Sequence, residues 1–363
     1  MIRDAMNKWT IVVPVLALLA LVLSWGREIP TALMVVAALL LVGAVLAAVH
    51  HAEVIAHRVG EPFGSLVLAV AVTVIEVALI VSLMMSGGPQ TGTLARDTVF
   101  AAVMITCNGI VGLSLLAVTL KRKTAIFQAE GTGKALATVA TLATLSLVLP
   151  TFTTSANGPV FSPAQLAFAA VASLLLYGLF VLTQTVRHRD YFLPVEVEGR
   201  TMREEDHAPR PSARTALGSL GLLLVALVAV VGLAKVESPV IEAAVSSAGL
   251  PHAVVGVAIA LMVLLPETIA AVRAARRDQV QISLNLALGS AMASIGLTIP
   301  AIAVASIWLE GPLLLGLGAT HMVLLALTFV VSTLTVVPGR ATLMQSGVHL
   351  VLFAAFLFLA VSP

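Results

Sequence analysis

Long unbroken apolar runs limit what this chain can fold into more than any other feature of it. Eleven of them fall at about 9–26, 31–49, 62–86, 98–120, 135–150, 164–186, 214–234, 249–272, 281–308, 312–336 and 343–361. Most approach the roughly 20 residues that a helix needs to cross a hydrocarbon layer. Only 10% of the 363 residues are charged and 59% are hydrophobic, whereas soluble domains carry about 25% charged residues. That excludes a water-soluble fold. The strands of a membrane barrel would alternate apolar and polar residues over segments of about ten, and no such alternation is present. One cysteine, Cys107, permits no intramolecular disulfide.

The basic residues give the orientation. Alternate loops hold all but three of the 20 lysines and arginines; Arg27, Arg96 and Lys235 fall on the other side. Basic loops stay in the cytoplasm, so the N-terminus is expected inside and the C-terminus outside. The first segment ends in Ser24-Trp25-Gly26-Arg27, which is not a small-residue cleavage site, and reads as an uncleaved helix. Residues 187–213, with Glu204-Glu205-Asp206 and five arginines, read as a solvated cytoplasmic linker, and the acidic triplet is a weaker candidate for a regulatory cation site.

Two carboxylates lie deep in apolar runs, Glu76 and Glu267. An ionised side chain there costs at least about 2.5–3.5 kcal/mol, and no lysine or arginine is expected inside a helix core to pair with it. Both glutamates come late in their segments, and Val111–Ala117 reads like Ile295–Ala301. The two halves, 31–186 and 214–363, therefore read as repeats of five helices each. An odd repeat inverts its orientation, which is the architecture of secondary transporters with interrupted helices at the midplane. Pro266, beside Glu267, is expected to break its helix, and the long ninth segment is expected to be interrupted by Gly289, Gly296 and Pro300. The fold expected is all-α and polytopic: one N-terminal helix (1–30) followed by the two inverted repeats. Thr73 shares the face of Glu76 one turn away. Thr106, Asn108, Asn285 and Ser290 are polar groups in apolar helices and candidates for lining a cation path; hydrogen bonding between helices explains such residues equally well. His50, His51 and His57 cluster with Glu53, Arg58 and Glu61 and do not have the spacing of a zinc-protease motif. Solvation explains the cluster; pH sensing is the sharper reading, because histidine titrates near cytoplasmic pH.

Gly60-Glu61-Pro62-Phe63-Gly64-Ser65 running on to Glu76, and Pro266-Glu267 followed by Ser283–Ser290, resemble the two signatures of cation/proton exchangers in the calcium/cation antiporter superfamily. The wording is most similar to the bacterial ChaA-type antiporters. The resemblance implies antiport of Na⁺, K⁺ or Ca²⁺ against H⁺ at a shared midplane site of Glu76 and Glu267, which would also be the metal ligands. It implies no enzymatic activity, no cofactor beyond the transported ions, the bilayer and inorganic cations as partners, and no nucleic acid. The chain departs from the superfamily pattern at Val72-Thr73 and Val263-Leu264, where glycine and asparagine are usual, and at Leu68, where a further asparagine is usual. The lost oxygens disfavour the six to eight ligands that Ca²⁺ takes and leave monovalent ions open. A cation channel using the same carboxylates for selectivity is the alternative.

Overall fold

A computed structural model describes residues 2–27, 30–60, 63–85, 91–193, 211–309 and 311–363. Glu61 and Pro62 of the first signature lie outside the described residues, as do Glu204, Glu205, Asp206 and His207 of the linker. The protein is an all-α polytopic membrane protein. Among the described residues, ten helices are long and apolar enough to cross a membrane, and a shorter apolar helix covers Lys8–Ser24. The described chain forms two compact units, Met1–Thr91 with Thr201–Gly249, and Gly92–Arg200 with Leu250–Pro363. Each unit mixes helices from both sequence halves, so compactness and the sequence repeat divide the chain differently.

The first unit contains α1 (Ile2–Ser24), α2 (Thr31–Val59), α3 (Phe63–Met85) and α9 (Ala213–Ser247). α2 packs on the other three. Its seam is built of small residues, Ala44, Ala47, Ala48 and Ala52, all without exposure. Small side chains let backbones approach, which is how helices gain packing energy in lipid. Hydrogen bonds fix the register. His51 Nδ1 lies 3.3 Å from Ser219 Oγ on α9, and its Nε2 lies 2.9 Å from the Thr10 carbonyl of α1. Ser82 of α3 donates to the Val231 carbonyl of α9 at 2.8 Å. Gly60 ends α2 with φ +78°, and its N–H caps the Ala56 carbonyl; a side chain is strained in that conformation.

The second unit is organised around α4 (Leu94–Met104), a π-helical turn (Ile105–Ile110) and α5 (Val111–Thr119). Together these form the most completely buried span among the described residues. Around it stand α6 (Ala129–Ala143), α7 (Leu149–Phe152), α8 (Pro163–Leu182), α10 (Ala253–Arg276), α11 (Val280–Ala305), α12 (Ala319–Val336) and α13 (Leu343–Val361). Further π-helical turns follow α6 at Thr144–Val148 and α8 at Thr183–Arg187. A two-residue antiparallel pair, Ala125–Ile126 with Arg340–Ala341, clasps two of the basic loops. Beside it, Arg122 makes a 2.7 Å ion pair with Asp278.

The structure corrects four sequence expectations. α10 runs unbroken through Pro266; the proline denies an N–H to the Met262 carbonyl without ending the helix, as bilayer helices tolerate when neighbours compensate. α11 is likewise continuous through Gly289, Gly296 and Pro300. α9 does not stop near residue 234 but continues through Pro239 to Ser247. Arg96 lies within the span Thr91–Thr119 rather than in a loop, so a basic residue does enter a helix. It is neutralised there by Asp97 at 2.8 Å, and Thr93 also donates to that carboxylate.

Candidate functional site

In the first unit, Glu76 is 4% exposed on α3 and Thr73, one turn earlier, is 6% exposed. The helix is apolar because it spans, and the carboxylate is flanked by fully buried Ile75 and Ile80. α9 contributes a carboxylate that sequence reasoning missed. Glu237 is 2% exposed beside equally buried Ser238, and its Oε1 has no hydrogen-bond partner among the described residues. The sequence expectation that this segment ends near residue 234 places Glu237 in a loop, whereas α9 runs on to Ser247. Its signal would have been the continued apolar register after Lys235.

Of the histidine cluster, His51 is buried and bonded through both ring nitrogens to α1 and α9. His50 is half-buried and meets it edge-on. His57 is exposed. The three do not converge on one point, and His51 serves as a brace between helices.

In the second unit, Glu267 is 9% exposed on α10, with Val263 and Leu264 buried one turn before it. Pro266 leaves the Met262 carbonyl without its helical donor, so a backbone oxygen is freed on the same helix. Thr106 and Asn108 fall in the π-helical turn, and both are fully buried. Such turns widen a helix and recur at functional sites. Thr106 donates to its own helix at the Ala102 carbonyl, 2.7 Å away. Asn108 uses both ends of its amide, donating to Thr328 Oγ1 at 2.9 Å and facing His349 Nδ1 at 3.2 Å. Asn285 is similarly engaged, accepting from Gln281 at 2.8 Å and donating to the Phe192 carbonyl at 2.7 Å. Ser290 is half-buried on α11. Among the described residues no three of His, Cys, Asp and Glu converge as a metal centre. Any ion held here must therefore take backbone and hydroxyl oxygens along with a carboxylate, a donor set suited to hard cations. Asn108 and Asn285 hold the helices of this unit in register.

The sequence profile of the sodium/calcium exchanger protein family matches residues 29–186 and 218–362. The chain is 45% identical to y4hA of Sinorhizobium fredii, over 98% of this chain and 96% of that one. It is 35% identical to the sodium-potassium/proton antiporter ChaA of Escherichia coli, over 98% and 97%. Among solved structures, the H⁺/Ca²⁺ exchanger CAX superposes with a TM-score of 0.69 at 17% identity, covering 98% of this chain and 88% of CAX, and so shares its fold. The matched residues span both halves and include Glu76, Glu237 and Glu267: the chain belongs to the sodium/calcium exchanger family.

Proposed function

We propose that the protein is a cation/proton antiporter in which Glu76 and Glu267 bind either the transported cation or protons. The observation that carries this reading is the depth of the two carboxylates, 4% and 9% exposed on apolar spanning helices. A carboxyl must lose its proton to ligate a cation, so cation binding releases protons. Sharing the same oxygens makes exchange obligatory without further machinery. The two glutamates occupy matching places in inverted five-helix repeats, and alternating access exposes them to each side in turn. Thr73 and the Met262 carbonyl supply neutral oxygens. The membrane is the bacterial inner membrane, with the N-terminus in the cytoplasm. Similarity to a sodium-potassium/proton antiporter across nearly the whole chain supports monovalent substrates, as do Thr73 and Leu264 in place of asparagine.

The test is purified protein in proteoliposomes loaded with a pH dye. Adding Na⁺, K⁺ or Ca²⁺ in turn should drive protons the opposite way, saturably, and imposing a pH gradient should drive the cation. Cation flux with no proton counterflow, indifferent to the pH gradient, would establish a channel instead.

Selectivity provides a second test. Thr73→Asn with Leu264→Asn adds two neutral carbonyl oxygens. Half-saturation by Ca²⁺ should improve relative to Na⁺ by about tenfold, which is 1.4 kcal/mol and on the scale of one hydrogen bond to a charged group. An unchanged ratio in folded protein would place selectivity elsewhere.

A further inference from the structure

Two hydroxyls at one end of the second unit are buried with nothing to bond. Thr98 on α4 and Thr298 on α11 have no exposure, and neither Oγ1 has a hydrogen-bond partner among the described residues. Threonine inside a helix can donate to the carbonyl four residues back. Thr106, Thr119, Thr268 and Thr333 of this unit do so at 2.7–2.8 Å. Thr98 and Thr298 turn their hydroxyls elsewhere. A buried hydroxyl without a partner is costly and calls for an explanation.

At the other end of the same helices a hydroxyl pair is made. Ser283 of α11 donates to Ser114 of α5 at 2.6 Å, and both are fully buried. The helices run antiparallel. Asp278, shortly before α11, pairs with Arg122, shortly after α5, and α11 packs in turn on α5, the π-helical turn and α4. Thr298 lies fifteen residues beyond Ser283, a rise of about 22 Å at 1.5 Å per residue. Thr98 lies sixteen residues before Ser114, but the turn at Ile105–Ile110 closes i→i+5 bonds and takes up one residue more than an α-helical turn. The rise is therefore the same, and the two threonines stand at one level. Thr298 is two residues from Gly296, which meets Tyr177 of α8, and so points away from α8.

The correspondence of Val111–Ala117 with Ile295–Ala301 sets Ser114 against Thr298. Counted through the π-helical turn, it sets Thr98 against Ser283. The bonded pair and the unbonded pair are images of each other under the inversion of the repeats. Thr106 and Ser290 fall midway between the two levels. α10 packs along the same rod, with Gly256 meeting Thr98. Glu267, eleven residues further along α10, is about 16 Å from that level and so lies between the pairs.

We propose that the two pairs are the alternating closures of the exchange path. Ser114–Ser283 closes the end where Arg122 and Asp278 lie, as described here; Thr98–Thr298 bonds and closes the opposite end once the first pair has parted. Thr98 and Thr298 are then positioning residues that touch no cation. One hydroxyl bond is exchanged for another of the same kind, so neither state is strongly favoured by the closures, and both can be populated. The inference rests on the antiport reading.

The test is tracer cation exchange in proteoliposomes, with half-saturation measured separately from each face. A cation that binds a sparsely populated state has its apparent affinity scaled by that population. Ser114→Ala weakens the closure at the basic-loop face and should improve half-saturation from that face by about fivefold, the effect of one hydrogen bond. Thr98→Val removes the opposite closure and should weaken half-saturation from the same face by a similar factor. Thr98→Ser keeps the hydroxyl and should behave as the unsubstituted protein. Shifts of the same sign in Ser114→Ala and Thr98→Val, or no shift in either, overturn the proposal, because loss of packing alone has no reason to act oppositely at the two ends. Where either variant fails to fold, Thr98→Cys with Thr298→Cys on a Cys107→Ala background takes its place. Cd²⁺ should bridge that pair and block exchange, with either cysteine alone insensitive; exchange undisturbed by Cd²⁺ in the pair overturns the proposal. Tracer exchange needs no protons. Opposite shifts without proton counterflow would remove the antiport reading and leave the closures, whereas proton-coupled exchange with shifts of one sign would remove the closures alone.

Discussion

Glu76→Gln and Glu267→Gln are each expected to abolish cation-driven proton flux while the protein inserts and folds normally. Glutamine keeps the shape and one carbonyl oxygen but can neither release a proton nor neutralise a cation. Losing even an outer partner of a bound metal costs 10–100-fold, so losing a direct carboxylate should exceed about 100-fold. Stability should hold or rise, because a buried carboxylate imposes a desolvation cost that the amide avoids. The two readouts together identify the role: flux at background with a melting temperature unchanged or raised. Aspartate at either position should restore part of the flux, since it keeps charge and proton exchange at a shortened reach. Normal exchange by either glutamine variant would remove that residue from the site.

The second large effect is expected at Gly256. α10 approaches α4 so closely there that a Cβ would lie 2.9 Å from the Thr98 nitrogen and 3.0 Å from the Asp97 carbonyl carbon. The opposing atoms are backbone and cannot swing aside, and Asp97 is held by Arg96 and Thr93. Gly256→Val must push α10 away from α4, at a cost of about 1–3 kcal/mol, the usual range for overpacking. Glu267 lies three turns further along the same rigid helix, so exchange should fall as well. Gly289→Ala is the control. Nothing lies within 4 Å of its added carbon, and alanine favours a helix by about 0.8–1.0 kcal/mol. The two substitutions should move the melting temperature in opposite directions, and equal shifts would contradict the close contact between α10 and α4.

Much of the architecture was legible in the sequence because a bilayer punishes ambiguity. Each span needs an uninterrupted apolar run and each basic loop a side, so the spans and the depth of Glu76 and Glu267 could be read directly. Two of the errors have one physical cause. Proline and glycine were weighed as they act in water, where a lost helical bond is a break, and so Pro266 and Pro300 were given too much force. In the folded protein, α10 and α11 run on through both. The misplaced end of α9 concealed Glu237. The π-helical turns left no trace in residue pattern, since an extra residue in a helical turn is set by packing partners distant in sequence. His349 was overlooked for a related reason. A lone polar residue in an apolar run says nothing about itself until Asn108 is seen against the ring.

The length of α9 ties the protein to its lipid. Thirty-five residues make a rod of about 52 Å at 1.5 Å per residue, against a hydrocarbon thickness of roughly 30 Å. Tilting alone would need about 55°, beyond the usual range of 0–40°, so part of the rod must stand in the headgroups or beyond. Any change in its inclination then changes how much apolar surface meets lipid, at a fraction of a kcal/mol per ångström of mismatch. Acyl-chain length thereby enters the energetics of the unit that carries Glu76, and thick and thin bilayers become different solvents for the same helix.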